Sequence, residues 1–342
     1  MNNKDTILEV KKLNTSFLQD HKEVRIIKDI SLCIPRGKAL AVVGESGCGK
    51  SVLMNSILRF LGKNAVVSSE KIAFYKKEAD GSVSVQRIDQ FKKNHGPEMR
   101  ALRGPQISMV FQDPMSALDP VYRVGDQVIE GLREHTRCSK KEAYQKALKM
   151  FKKLGIPDPE LRMSCYPFEF SGGMKQRVAI AIALICNPEL ILCDEPTTAL
   201  DVTIQAQIME ILRELKEKDG KTIVLITHNM GLVAQMADEV CVMYMGRIVE
   251  YGTLEDIFDH GSHPYTRALM RSVPVLGMAD GERLQTIPGA TPNPAELGVG
   301  CEFADRCEFC TEACRAADVP MYEIAPGHMV RCIRFNEYPE VD

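Results

Sequence analysis

The stretch Ala39-Leu-Ala-Val-Val43, Gly44-Glu45-Ser46-Gly47-Cys48-Gly49-Lys50-Ser51 decides the fold. Five apolar residues run into a glycine-rich loop, and a helical pattern with Val52, Leu53, Ile57 and Leu58 begins directly after it. This is strand, loop and helix, the context in which G-x-x-x-x-G-K-[ST] is more than a chance match. Glycines let backbone amides wrap phosphate oxygens, and the helix N-terminus adds a favourable dipole. Lys50 is expected on the β and γ phosphates of a nucleotide, and Ser51 on Mg²⁺.

Working outward, two more apolar runs end in chemistry. Leu190-Ile-Leu-Cys193 leads to Asp194-Glu195, and Thr222-Ile-Val-Leu-Ile-Thr227 leads to His228. Between them Ile204, Ile208, Ile211, Leu212 and Leu215 recur at helical spacing until Asp219-Gly220, so the unit is β-α-β. Continuous apolar strands suggest a parallel sheet covered on both faces, hence an α/β domain with ligands at the carboxyl ends of the strands. Asp194 can hold Mg²⁺ through water, and Glu195 can polarise an attacking water. A pair of solvated strand-end carboxylates is the alternative, and the glycine-rich loop upstream disfavours it.

The 342 residues allow one large domain and a smaller one, and 45% hydrophobic with 26% charged residues excludes disorder. The net charge is −3, and Ala279–Asp342 carries 12 acidic against 5 basic side chains. Neither part has the strongly basic surface of a nucleic-acid binder. The longest apolar run, Val178–Cys186, is about half of the roughly 20 residues a bilayer requires, and Met1–Lys12 lacks the form of a secretory signal. A cytosolic chain is expected. Of 12 cysteines, five (Cys301, Cys307, Cys310, Cys314, Cys332) fall in the last 42 residues. In a reducing compartment that cluster suggests metal ligation, and the scattered seven suggest small buried side chains.

Residues 62–105 contain Asp80-Gly81 between short alternating runs, which predicts an inserted hairpin. Residues 126–168 are mainly helical, with Lys140, Lys141, Lys146, Lys149, Lys152 and Lys153 on a solvated face. From Gly277 proline and glycine become frequent and mark a boundary. The expected domains are 1–276, with a helical subdomain at about 126–185, and a small cysteine-rich extension at 277–342.

Ser171-Gly172-Gly173, followed by Met174-Lys-Gln-Arg177 and an apolar helix, offers a second phosphate-suited helix N-terminus. Placed ahead of the strand with Asp194-Glu195, it resembles the signature motif of ATP-binding cassette (ABC) ATPases. That resemblance implies a P-loop NTPase with a RecA-like core, a β-subdomain and a helical subdomain. It implies that the signature of one chain closes on the ATP of another. By the same resemblance Gln112 is the Q-loop glutamine, a Mg²⁺ contact beside Ser51 and Asp194. Ala199-Leu-Asp201 resembles the D-loop, and His228 the switch histidine at the γ-phosphate. Phe17 is the candidate for stacking on adenine, with Tyr75 as the alternative. Met174 and Phe170 depart from the commonest signature, which has glutamine and leucine there.

Those departures are similar to the oligopeptide and dipeptide importer ATPases, as are Phe111-Gln-Asp-Pro-Met-Ser116 and His263-Pro-Tyr-Thr-Arg-Ala-Leu269. The resemblance runs from about residue 7 to residue 335. It implies an ATPase at the cytoplasmic face of the membrane, working with two integral-membrane permeases, a second and paralogous cassette ATPase and an extracellular substrate-binding protein. The tail is similar to an extension in which some members hold a 4Fe-4S cluster. By that pattern the ligands are Cys301, Cys307, Cys314 and Cys332, with Cys310 extra. Zinc and no metal remain open at this point, and His263 reads as a turn residue before Pro264. Nickel, glutathione or another small solute are alternative cargoes. A soluble ABC ATPase of DNA repair or translation and a redox or metal sensor are alternative functions.

Overall fold

A computed structural model of the chain describes residues 5–19, 22–78, 80–113, 117–198, 200–272, 287–338 and 340–341. Its strands in chain order are β1 (Thr6–Gln19), β2 (Lys22–Pro35), β3 (Ala39–Val43), β4 (Ala65–Ser68), β5 (Lys71–Lys77), β6 (Val83–Arg87) and β7 (Ile107–Val110). They continue with β8 (Leu190–Asp194), β9 (Thr222–Ile226), β10 (Glu239–Tyr244), β11 (Arg247–Thr253), β12 (Met321–Ala325), β13 (His328–Val330) and β14 (Glu340–Val341). The chain divides into two compact units, one of Met1–Pro35, Ala39–Gln90 and Thr227–Asp342, the other of Arg36–Lys38 and Phe91–Ile226.

The first unit begins with an antiparallel sheet in the order β2-β1-β5-β6, with β4 also paired to β1. Leu8, Val10 and Leu13 lie opposite Ile34, Leu32 and Ile30, and all six are buried. The pairing slips around Lys12 and Asp29, which both take left-handed backbone conformations (φ 48° and 53°), as bulged strands do. β5 and β6 turn through Asp80-Gly81, so the inserted hairpin forms where the sequence indicated it.

The same unit holds a second run of strands, β14-β12-β13-β11-β10-β3. β3 and β10 are parallel, and β10 returns antiparallel into β11 through Met245-Gly246, both at positive φ. β13 then adds to the other side of β11, so the C-terminal residues extend this sheet. Beneath it lies a core of Ala41, Val43, Val240, Val242, Tyr244, Tyr265 and Phe303, the last contributed by the cysteine-rich segment.

In the second unit β7, β8 and β9 pair in parallel, and every residue of all three is buried. That is the covered parallel sheet expected from continuous apolar runs. The helices Val124–His135, Lys140–Lys153 and Gly172–Leu184 pack on one another. Ser139 and Glu142 form a capping box at the start of the second, and its lysines are exposed. The boundary expected at 276/277 lies outside the described residues. Among the described residues, no helix is long and apolar enough to cross a membrane.

Candidate active site

In the first unit, β3 delivers the chain into the glycine-rich loop. Gly44 has φ +151°, and a Cβ there would lie 2.2 Å from Met243 O, so only glycine fits. Gly49, also at positive φ, precedes the helix Lys50–Ile57. Ser46 and Gly47 are exposed at the loop's crest, and Ser51 is half-buried in the first helical turn. The Lys50 ammonium curls back to donate to Gly44 O at 2.8 Å and Glu45 O at 2.9 Å. Burial pushes the Cys48 thiol up despite the neighbouring Lys50, so it stays protonated.

The loop is braced from far along the chain. Arg306 donates from Nη1 to Glu45 Oε2 at 2.6 Å and from Nη2 to Glu45 Oε1 at 3.1 Å. Its Nε donates to Pro288 O at 2.8 Å, and its guanidinium lies over the rings of Tyr244 and Phe303. The Glu45 N–H donates to the Tyr265 hydroxyl at 2.8 Å. Arg306 sits in the turn between Cys301 and Cys307, and the sequence offered no sign that it reaches the loop.

His228 belongs to this unit too. It is exposed and immediately precedes Asn229, the cap of the helix Met230–Met236. Phe17 is half-buried on β1, opposite Val24 and Ala65. Tyr75 is 1% exposed, with its hydroxyl between Glu9 and Lys71, and its buried ring is not available for stacking on a base.

In the second unit, Asp194 ends β8 and is buried. Glu195 follows at φ 44°, a left-handed conformation rare for glutamate, with its N–H donating to Ile226 O at 3.0 Å. Such strain is typical of functional positions. The Glu195 carboxylate accepts from Gln112 Nε2 at 3.1 Å and from Thr198 Oγ1 at 2.9 Å. Gln112 and Glu195, both named from the sequence, are thus brought together. Thr198 was missed, although a threonine three residues after a strand-end carboxylate is a readable hydrogen-bond donor.

Ser171 caps the helix Gly172–Leu184 by accepting from the Met174 N–H, and Asp201 caps Val202–Glu217 by accepting from the Ile204 N–H at 2.9 Å. A Cβ on Gly173 would lie 2.8 Å from Ile204 Cγ2, so the second glycine of Ser171-Gly172-Gly173 lets these two helix starts approach. Ala199 of the expected D-loop lies outside the described residues.

All 12 cysteines are free thiols. Cys301, Cys307, Cys310, Cys314 and Cys332 line one small cavity of the first unit. Burial pushes the Cys301 thiol up to about 12 and raises Cys307 and Cys332. Burial also acts upward on Cys314, but hydrogen bonds from Thr311 and Cys310 outweigh it and hold that thiol below its usual range. His263 caps the helix Pro264–Arg271 through Nδ1, the turn role expected of it. Among the described residues, no three His, Cys, Asp or Glu side chains converge as a bound metal ion requires. The cysteine spacing therefore predicted the gathering of the thiols, whereas a formed metal site is not found.

Residues 27–198 match the ABC transporter family, and residues 249–314 match the C-terminal region of oligopeptide/dipeptide transporters. The chain belongs to the ABC transporter family. It is 45% identical over 336 residues to a Brucella melitensis protein named for peptide import ATP binding, covering 97% of this chain and 98% of that protein. It is 43% identical to the dipeptide transport ATP-binding protein DppD of Bacillus subtilis, covering 96% and 94%. An ATP-binding cassette solved as a dimer in a post-hydrolysis state, bound to ADP and Pi, superposes with a TM-score of 0.61 at 27% identity, over 72% of this chain and 98% of that one. The ABC cassette fold inferred from the motifs is thus the fold of the chain.

Proposed function

We propose that this chain is the ATP-hydrolysing subunit of an importer for oligopeptides or dipeptides. Relatives of nearly full length are named for peptide import and dipeptide transport, and the C-terminal match is to transporters of that cargo. One observation carries the hydrolytic reading: Glu195, strained and held by Gln112 and Thr198, stands beside the strand-end Asp194.

In this reading the nucleotide phosphates lie in the loop Gly44 to Ser51, whose glycine cradle fits them. Lys50 exchanges its two carbonyl partners for phosphate oxygens. Ser51, Gln112 and Asp194 would hold Mg²⁺, which neutralises charge developing on the phosphates. Glu195 takes the proton of the attacking water. Ser171, Gly172 and Gly173 serve the ATP of a second cassette, with Asp201 at that junction, while His228 faces the γ-phosphate and Phe17 the adenine. The domains are 1–276 for nucleotide binding and 277–342 for the extension. The partners are two permeases, a paralogous ATPase and an extracellular binding protein, and the location is the cytoplasmic face of the membrane.

The extension is proposed to hold a 4Fe-4S cluster through Cys301, Cys307, Cys314 and Cys332. What supports the reading is that these thiols line one small cavity and that Cys ligands hold such clusters. An anaerobic pull-down from solubilised membranes, with metal analysis, tests the whole reading. Two multi-span permeases, a second cassette and iron with sulfide are expected. Recovery of ribosomes or nucleic acid in their place overturns the importer, and zinc or no metal overturns the cluster.

A further inference from the structure

Apart from the nucleotide loop, the first unit contains a cavity of about 410 Å³ between its opening hairpin and its C-terminal strands. That is within the range of small-molecule sites. Its apolar wall is built from Leu32 and Cys33 of β2, Tyr251 of β11, and Met321 and Met329 of β12 and β13. Tyr251 spends its hydroxyl on Glu239, so its ring is what it offers the cavity.

Two charged groups on this lining, Arg331 and Asp29, make no ion pair among the described residues. Arg331 is half-buried, and its Nε and Nη1 donate to the carbonyls of Ile248 (3.2 Å) and Val319 (2.6 Å). Among the described residues it makes no ion pair; burial and the nearby Arg247 act against its charge and outweigh the carboxylates of Asp318, Glu302 and Asp29, which act for it. Asp29 is half-buried at its left-handed turn, where its N–H donates to Asn14 Oδ1 at 2.8 Å. Its carboxylate has no hydrogen bond or ion pair among the described residues. The other charges of the lining are matched: Asp318 pairs with Arg247 at 2.9 Å, while the exposed Lys11 and Lys12 approach Glu9 and Glu70 at 3.8 Å. A half-buried charge without a close ion pair is costly, and one of each sign over an apolar wall is the complement of a zwitterion.

We propose that this cavity binds a small zwitterion with an apolar side chain, a short peptide or a free amino acid, its carboxylate against Arg331 and its ammonium against Asp29. The site uses none of the residues assigned to ATP.

Calorimetric titration of the full chain with leucyl-leucine, leucine, N-acetyl-leucyl-leucine and leucyl-leucine amide tests this. At least one of the two zwitterions binds saturably, and which one does identifies the source. Blocking either terminus weakens binding about tenfold or more, the weight of one charge-assisted contact. Asp29→Asn, which tolerates the left-handed backbone, has the effect of acetylation and no further effect on the acetylated probe. Arg331→Gln mirrors the amide. Because Arg331 also holds two carbonyls, Asp29→Asn decides the matter if Arg331→Gln does not fold. Absence of saturable binding by both zwitterions, equal binding of the blocked forms, or indifference to Asp29→Asn overturns the proposal. A fluorescent ATP analogue titrated into the same samples reads the nucleotide loop separately, so failure of this site is distinguishable from failure of the proposed ATPase.

Discussion

Replacing Arg306 by Met should weaken nucleotide binding although Arg306 lies outside every nucleotide motif. The substitution removes two charge-assisted hydrogen bonds to Glu45, at 2.6 and 3.1 Å, each of a kind worth about 1.5–3 kcal/mol. The Arg306 side chain is 5% exposed but that of Glu45 is 24% exposed, so water recovers part of the loss and the lower end applies, about 2–3 kcal/mol in all. If that energy holds the loop in its phosphate-ready shape, MgATP affinity falls by as much as about 30- to 150-fold. Arg306 also holds Pro288 O and covers two aromatic rings, so the single variant is ambiguous. A double-mutant cycle with Glu45→Gln resolves it, since that change keeps the backbone bond to Tyr265. Equilibrium titration of a fluorescent ATP analogue into the wild type, both singles and the double should give a coupling of about 2 kcal/mol. Effects that add to within about 0.5 kcal/mol, with affinity unchanged in Arg306→Met, would refute the bracing role.

Three other outcomes follow from the site. Glu195→Gln should keep ATP binding and lower turnover by roughly 10²- to 10⁴-fold, and near-normal phosphate release would remove Glu195 as the base. Lys50→Ala should weaken nucleotide binding itself; an unchanged dissociation constant would sever Lys50 from the phosphates. The third concerns pH. Burial raises the Glu9 carboxyl, but hydrogen bonds from Lys71 and Tyr75 outweigh it and hold the group below its ordinary value of 4.5. The contribution to stability is therefore complete above pH 4.5 and fades as pH falls through the folded-state value. Thermal melts of Glu9→Gln should lie below those of the wild type at pH 7 and approach them in acid, and a constant gap would contradict the linkage.

The parts legible in the sequence share a physical cause. β3, β8 and β9 are continuous apolar runs with chemistry at one end, and both signals are local. The hairpin β5–β6 was readable from Asp80-Gly81. β1 and β2 were not, because the slips around Lys12 and Asp29 break the two-residue alternation that marks a strand. The short C-terminal strands carry too few residues for a period. Each proposed motif has a local pattern in the sequence, but the side chains that brace it do not. The pairing of Arg306 with Glu45 spans 261 positions and has no local signature. Cysteine spacing foretold that the thiols meet, but distance and convergence belong to the folded backbone.

The addition of β13 to β11 has a consequence for anyone trimming this protein. β11 is buried along nearly its whole length, with Glu250 and Tyr251 matched to Val330 and Met329. A version ending before β12 would leave the backbone donors and acceptors of β11 around Glu250 and Tyr251 open along an apolar strand. Such an edge recruits strands from neighbouring molecules. The tail, whatever its thiols hold, works as a selvedge that keeps the sheet from unravelling into its neighbours, and a minimal cassette would need a charged or proline-bearing border in its place.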